Sequence, residues 1–486
     1  MIPRQSDRRI VPLRMSSLIR SKPSNVGEGK ASGPSRDTVV PSTALSGESS
    51  VLRRLDRIKD RAEQHPQEVF NNLFSLLTPE LLRLAFGRLK RNKAPGVNEV
   101  TVEDYAADLE NNLHDLLQRL HCGSYRPKPS LRRDIPKGNG KTRPLGIAAV
   151  EEKLVQRAVV MILERIYEAD FCDTSYGFRP GRSCHMALAQ LGKVIATKKV
   201  NWISDADIKG FFDNVCHDKL HELLCKRIAD PRMLQLIERF LKAGVMIEGR
   251  REETNDGVPQ GSVLSPLLAN VYLHYVLDLW FEHDVKPRLR GAAYLVRYAD
   301  DFICAFECES DARGFQEVLV QRLGDFSLEL ALEKSKLLRF GRFAERESAR
   351  LGEGRPGVFD FLGFTHYCGL SRAGKFKLKR RTSKKKLKGK LRDFQDWLRS
   401  QLTVPLREVW PLVNAKLSGH FQYYNVNDNW ESLELFRRHV SRLCFRWMRR
   451  RSQKGKTLSW PNYYAFLSVH PLASPKQITD LIAMAP

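Results

Sequence analysis

The 486-residue sequence carries nine cysteines but no Cys-x-x-Cys pair. That absence removes the zinc ribbon and gives no disulfide framework, so a reducing compartment is expected. No uninterrupted apolar run reaches the roughly eighteen residues that a bilayer span needs, and no charged start, apolar stretch and small-residue cleavage site opens the chain. Membrane insertion and secretion are therefore not expected. Acidic residues are also short: 56 Asp and Glu stand against 81 Lys and Arg, for a formal net charge of +25 and a pI near 9.8. An excess of this size goes beyond solubility and calls for a polyanionic partner, nucleic acid before an anionic membrane.

The length suits two or three domains, and 42% hydrophobic residues are ample for real cores. Residues 1 to about 50 are rich in Ser, Pro, Gly and Arg without a periodic apolar face, which predicts a disordered basic leader. The same composition occurs in organellar transit peptides, but the amphipathic helix of such peptides is missing. From Leu52 to Leu120 the apolar spacing is helical, with a helix start at Thr78-Pro79, a break at Lys93-Ala94-Pro95-Gly96-Val97 and a further helix from Val102. Next, two strand-like pieces flank Gly138-Asn139-Gly140 and carry Lys137, Lys141 and Arg143, a basic hairpin suited to gripping phosphate. A helix over Glu151–Tyr167 leads to the loop Asp173–Arg182, whose Gly, Arg and aromatic residues suit a nucleic-acid backbone and a stacked base. Another helix begins near Ser183.

Ala292 to Phe306 reads AAYLVRYADDFICAF, two short apolar strands meeting at the acidic turn Tyr298-Ala299-Asp300-Asp301. Adjacent carboxylates beside an apolar hairpin repel unless a cation joins them, and a hard divalent ion prefers oxygen ligands. A third carboxylate comes from NWISDADIKGFFDN, where Trp202 to Ile208 alternates as a strand. Alternation puts Asp205 and Asp207 on one face, and Asp213 follows close behind; the strand's end favours Asp207. Gly257-Val258-Pro259-Gln260-Gly261-Ser262 then opens a long apolar helix, and its glycines let Gln260 approach a nucleotide or template strand. A helix over Ser310–Gly324, a strand at LLRF and an aromatic strand and turn at Phe359–Phe364 complete this part. His217 and His221 have helical i, i+4 spacing but no further metal ligand nearby, which favours a capping or surface role. Cys304 and Cys308 suit packing in or beside a strand.

At Lys375 the composition changes to KFKLKRRTSKKKLKGKLR, and helical patterns with interleaved aromatics run on to about Met484. Basic residues with stacking aromatics suit an RNA-contacting surface, here including Lys384, Lys385, Lys386, Lys388 and Arg392.

Asp207, Asp300 and Asp301 fall at the ends of strands expected to lie side by side, an arrangement that suits two-metal phosphoryl transfer. At this point the chain closely resembles the reverse transcriptases encoded by bacterial group II introns, also called intron-encoded proteins or maturases. The resemblance runs from about residue 52 onward in nine ordered blocks: KAPGV, IPKGNGKTRPLGI, SYGFRPGRSCH, DADIKGFFDN, GVPQGSVLSPLLANVYL, YADD, LEKSK, FDFLGF and LSGHFQYYNV. It implies an α+β fold with right-hand polymerase architecture: N-terminal extension and fingers over 51–198, palm over 199–370, and a helical basic thumb or maturase (X) domain over 371–486. It further implies an RNA-directed DNA polymerase, a nucleotidyltransferase using two Mg²⁺ ions, with Mn²⁺ a possible substitute. Its partners would be an RNA template with a DNA primer, dNTPs, target DNA and the group II intron RNA whose splicing and mobility it assists. The implied metal ligands are Asp207 and Asp300, with the carbonyl of Ile208, and Asp301 completing the set. Lys137 and Arg143 match residues gripping the triphosphate, Gln260 a residue lining the nucleotide pocket, and Phe212 the residue that excludes a ribose 2′-hydroxyl. Lys334 is the implied proton donor to pyrophosphate, with Lys336 close by.

Two departures stand out. KAPGV continues Asn98-Glu99 where the family commonly has Asp-Gly, and no Cys-pair and His-Asn-His nuclease pattern follows the thumb, so no endonuclease is expected. The implied location is the bacterial cytoplasm, on the nucleoid when acting on DNA. Two other readings share these features: an RNA-binding splicing maturase without polymerase role, and a domesticated reverse transcriptase in defence or repair. The survival of all three carboxylates beside Arg143 and Gln260 favours the enzyme, because an acidic cluster without catalytic use only destabilises.

RNA binding should weaken steeply with salt through counterion release. Neutralising Lys384, Lys385 and Lys386 together should lower affinity and flatten the log K against log salt slope by roughly 0.7 to 0.9 per lost phosphate contact, read by filter binding across a salt series. A salt-insensitive affinity, or one indifferent to these three lysines, contradicts the electrostatic account.

Overall fold

The computed structural model describes residues 42–137, 141–476 and 478–484, without the side chains of residues 42–49, 136, 137, 141, 143 and 454. The Gly138-Asn139-Gly140 turn, and the expected leader over residues 1–41, lie outside the described residues. The chain is already helical at Ser42, in a helix that runs to Gln64, so the expected irregular leader does not extend to residue 50. Once Val51 and Leu55 are buried, each further helical residue adds a backbone hydrogen bond at little cost, so the helix propagates toward its N-terminus.

Described strands are β1 (Ser130–Lys137), β2 (Lys141–Ile147), β3 (Trp202–Asp207), β4 (Val245–Ile247), β5 (Arg250–Glu252), β6 (Ala293–Tyr298), β7 (Asp301–Phe306), β8 (Lys336–Arg339), β9 (Phe359–Phe361), β10 (Phe364–Leu370) and β11 (Phe376–Thr382). They form three sheets, ordered β2-β1-β4-β5, β6-β7-β3-β8 and β11-β10-β9. The second sheet is the centre of the molecule, because both of its faces are covered. Trp202, Ala206, Leu295, Phe302, Cys304 and Phe306 join one core, with helices Val150–Asp170 and Glu309–Asp325. Ile203, Val296, Tyr298, Ile303 and Ala305 join the other, with helix Cys184–Thr197 and the C-terminal helices Leu406–Tyr424 and Trp430–Arg450. Successive side chains on a strand point to opposite faces, so strands buried on both sides read as near-continuous apolar runs. Each large side chain so buried contributes about 1.5 to 3 kcal/mol.

The helix starts follow local chemistry. Thr78 accepts from the Leu81 N–H ahead of Pro79, Thr101 and Asp104 cap each other's backbone, and Ser183 accepts from Met186 N–H. The apolar helix expected after Ser265 is α-helical only to Leu273; two π-helical segments follow, His274–Asp278 and Phe281–Val285. The basic segment from Lys375 begins as a strand, not a helix, since β11 pairs with β10 from Leu370↔Phe376 to Phe364↔Thr382. The division at 370/371 therefore falls inside a hairpin. Arg380 of β11 is buried and donates to the Leu188 carbonyl at 2.8 Å, in the space left by the missing side chain of Gly192. Only after Ser383 does the basic helix Lys384–Ser400 start. No helix among the described residues is long and apolar enough to cross a membrane.

Three histidines are buried where charge is unfavourable. Burial pushes His420, stacked 3.8 Å from Phe436 with no hydrogen-bond partner for either ring nitrogen, down to about 3. Burial also lowers His274 to about 4 and, with Arg380 beside it, His366 well below the usual value of 6.5. Below pH 6.5 the unfolded chain takes up protons that the folded chain refuses, so stability is complete above that pH and is lost as pH falls toward 4. The expected loss is about 1.4 kcal/mol per pH unit for each histidine. Thermal melts from pH 7 to 4.5 should show this decline, and His420→Leu should make it shallower.

Candidate active site

In the central sheet Asp207 lies directly opposite Asp301, and Asp301 directly opposite Tyr298. Opposed residues share a face, so Tyr298, Asp301 and Asp207 form a row across three strands at one end of the sheet. Asp300 stands beside that row in the two-residue turn Ala299–Asp300 joining β6 to β7. Asp205 is set back along the strand, opposite Ile303 and Lys336. Register therefore places Asp207, and not Asp205, against the acidic turn. All three carboxylate residues of the site are half-buried.

On its other side β3 meets the segment before β8. Ala331 N–H donates to the Asp207 carbonyl and Lys209 N–H to the Glu329 carbonyl, each at 2.8 Å, flanking the pair Ile208↔Leu330. In such a pair the central residue's own N–H and C=O face away from the partner. The Ile208 carbonyl is thus turned toward the side of the sheet that carries Asp300. The Lys334 ammonium lies 2.9 Å from Asp207 Oδ2. Of the two lysines in this stretch, Lys334 reaches the carboxylate row, while Lys336 is exposed on β8.

Among the described residues no three His, Cys, Asp or Glu side chains are gathered closely enough to hold a metal ion by themselves. The donor set still fits a hard divalent cation: it is all oxygen, and the row already holds one cation, the Lys334 ammonium. Mg²⁺ demands few protein ligands, commonly one or two carboxylates, and takes the rest from water and substrate phosphates. Asp207 and Asp300, with the Ile208 carbonyl, are the groups that would hold such an ion.

A second cluster is built around the segment that follows β3 in the chain. Gly146 N–H of β2 donates to the Gln260 carbonyl at 2.7 Å, and a side chain on Gly261 would lie 2.4 Å from the Gly146 carbonyl. The basic hairpin is thereby fixed to the Pro-Gln-Gly loop; the side chains of Lys137 and Arg143 lie outside the described residues. Gln260 Nε2 donates to Asp213 at 2.8 Å, and Val258 N–H to the Phe212 carbonyl at 2.7 Å. Phe212 itself is buried, its ring edge-on to Phe211 at 5.2 Å. His217 contributes no metal ligand: it is buried, and its Nε2 lies 2.7 Å from the Gly257 carbonyl, holding the same loop.

Residues 135–366 match the family model described as reverse transcriptase (RNA-dependent DNA polymerase). The chain is 36% identical over 303 residues to the group II intron-encoded protein LtrA of Lactococcus lactis subsp. cremoris, covering 60% of this chain and 50% of that protein. It is 34% identical over 304 residues to protein YkfC of Escherichia coli, covering 54% of this chain and 78% of YkfC. The chain belongs to the group II intron-encoded reverse transcriptase family. An uncharacterized 91 kDa protein in the cob intron of Schizosaccharomyces pombe is 37% identical over 255 residues, half of this chain and 31% of that protein. The match spans about half the length of LtrA.

The carboxylate row has a support that no short motif signals. Arg297 of β6 is fully buried and donates to Asp278, Asn270 and the Ala299 carbonyl. Its signal in the sequence was a lone charged residue inside the apolar run AYLVRY. The expected nucleic-acid role of the Asp173–Arg182 loop looks different in the structure, where the loop is stapled to itself. Arg179 is buried against Glu168 and the carbonyls of Cys172 and Ser175, Arg182 bonds Asp173, and Tyr176 is buried. Beside Tyr298 this loop, helix Val150–Asp170 and Tyr423 enclose a cavity of about 340 Å³ lined also by Arg157 and Glu164.

The loop meets the turn at Gly177, where an added Cβ would lie 2.2 Å from Ala299 N. Gly177→Ala must displace one backbone or the other. Denaturant unfolding should show a loss of at least about 1 to 3 kcal/mol, the usual range for overpacking; an unchanged midpoint contradicts the packing described.

Proposed function

We propose that this chain is the RNA-directed DNA polymerase of a group II intron, which also binds the intron RNA to assist splicing and mobility. The observation that carries the reading is the carboxylate row at the end of the central sheet, with Asp300 on the adjoining turn and Asp207 directly opposite Asp301. On this reading residues 51–198 form the N-terminal extension and fingers, 199–370 the palm, and 371–486 the thumb and maturase domain.

Asp207 and Asp300, with the Ile208 carbonyl and Asp301 in support, would hold two Mg²⁺ ions, or Mn²⁺ in their place. Bound there, such ions activate a primer 3′-hydroxyl and neutralise the leaving pyrophosphate. Lys334, already a donor to Asp207 at 2.9 Å, keeps a proton within reach of that leaving group. Lys137 and Arg143 grip the triphosphate from the β1–β2 hairpin, which the Gly146 to Gln260 bond ties to the nucleotide pocket. Phe212 lies under that pocket as a rigid floor against a 2′-hydroxyl. The incoming dNTP pairs with an RNA template, and target DNA supplies the primer.

The thumb would hold RNA through charge. Lys384, Lys388 and Arg392 recur every four residues on helix Lys384–Ser400 and are all exposed, as is Lys385, with Lys386 half-buried beside them. Trp460 and Tyr464, exposed at the far end of the same half of the chain, offer stacking faces.

Asp300→Ala and Asp207→Asn should each reduce dNTP incorporation on an RNA template with an annealed DNA primer by roughly 1000-fold, the scale of several kcal/mol of lost metal stabilisation. Circular dichroism and melting would establish matched folding. Undiminished extension by either folded variant would show that the site is wrongly assigned.

A further inference from the structure

Arg297 is the largest fully buried side chain of the molecule among the described residues, and its side chain makes four hydrogen bonds, one of them to the acidic turn. Nε and Nη2 donate to the two carboxylate oxygens of Asp278, at 2.7 and 2.5 Å. Nη1 donates to Asn270 Oδ1 at 3.1 Å and to the Ala299 carbonyl at 2.9 Å. Asn270 in turn donates from Nδ2 to the Gly177 carbonyl at 2.7 Å, and Gly177 lies against the backbone of Ala299. The main chain of Arg297 is fixed as well: its N–H donates to the Thr174 carbonyl, and its carbonyl accepts from Tyr176 N–H.

Asp278 and Asn270 come from one continuous helical run, at the point where it changes from α to π winding. Asp278 closes the π-helical segment His274–Asp278, whose wider turn brings its carboxylate to the guanidinium. The turn that these groups hold is not one its sequence favours. Ala299 has φ +58°, a conformation that L-residues other than glycine, asparagine and aspartate seldom take. Its carbonyl belongs to the peptide unit that leads directly into Asp300.

We propose that Arg297, backed by Asp278 and Asn270, is a positioning residue for nucleotidyl transfer: by holding the Ala299 carbonyl it fixes where the Asp300 carboxylate stands. This rests on the reading of Asp300 as a metal-holding residue. A stabilising role alone explains the arrangement poorly, since a buried ion pair is commonly matched in stability by apolar side chains of similar volume. What apolar side chains do not supply is a donor to the Ala299 carbonyl.

The test uses the full chain, an RNA template with an annealed DNA primer, and Mg²⁺. The double variant Arg297→Met with Asp278→Leu removes the ion pair without leaving a lone buried charge. Its melting temperature should fall only by the cost of two acceptors, the Ala299 carbonyl and Asn270 Oδ1, left without a donor, while primer-template affinity stays near that of the unsubstituted chain and KM for dNTP changes little. Its kcat should fall about 100-fold, the scale of an ångström of misplacement at a reacting centre. Adding Asp300→Ala should then cost much less than it does alone, because both changes remove one function. If kcat is recovered together with stability, the positioning role is refuted. Should the double variant not fold, Arg297→Lys keeps the charge toward Asp278 but lacks the planar fork that reaches three acceptors. A folded Arg297→Lys chain is expected to show the same loss of kcat at unchanged KM, and full activity would refute the role. An inactive unsubstituted chain would overturn the polymerase reading itself, a separate outcome from an active chain whose variants match it.

Discussion

The site depends on one register, that of β3 against β7. With Asp207 opposite Asp301, three oxygen-bearing groups collect at one sheet end; a shift of one residue would turn Asp207 to the opposite face of the sheet. The register is fixed because both faces of the sheet are buried. Were β3 to slip against β7, Ile203 on one face and Trp202 and Ala206 on the other would exchange sides, away from Ile303 and Phe302 that now share their faces. Hydrophobic packing thus does the placing of carboxylates that repel each other, and the Lys334 ammonium offsets part of that repulsion.

Around this row the chain arranges tight backbone contacts more than side-chain contacts. Gly177 meets Ala299, Gly261 meets the Gly146 carbonyl, and Gly257 meets the carbonyls of Phe212 and Asp213, each too close for a Cβ. The stretches joined in this way are distant in sequence and bring the basic hairpin, the Gln260 loop and the acidic turn into one body. The positive φ of Ala299, a cost of roughly 1 to 2 kcal/mol for an L-residue, persists because its surroundings determine it from several directions.

Much of this was legible in the residues. The acidic hairpin, the strand ending at Asp207, the helix starts at Thr78-Pro79, Val102 and near Ser183, and the two strands of the basic hairpin are local features with short-range signals, and each lies where the pattern puts it. What escaped was set at long range. Nothing near Arg297 names Asp278 as its partner, and α and π winding share one apolar pattern. The strand β11 reads as part of a basic tail, because only its pairing with β10 and the burial of Arg380 against Leu188 make it sheet. The aromatic and arginine-rich loop at Asp173–Arg182 has the composition of a nucleic-acid contact, yet Arg179 and Tyr176 are buried and Arg182 is half-buried with a bond to Asp173 of its own loop. Composition states what such residues are able to bind, and packing decides what they do bind.

Nucleotidyl transfer at this site requires divalent ions held at the end of β3 and β7. The direct measurement is anomalous scattering from Mn²⁺ in crystals of the protein with an RNA template, a DNA primer and a non-reacting dNTP analogue. Two peaks about 3.5 to 4 Å apart are expected, bounded by the carboxylates of Asp207 and Asp300 and the carbonyl of Ile208. Absence of anomalous density at that sheet end, with the nucleic acid and nucleotide in place, would contradict it.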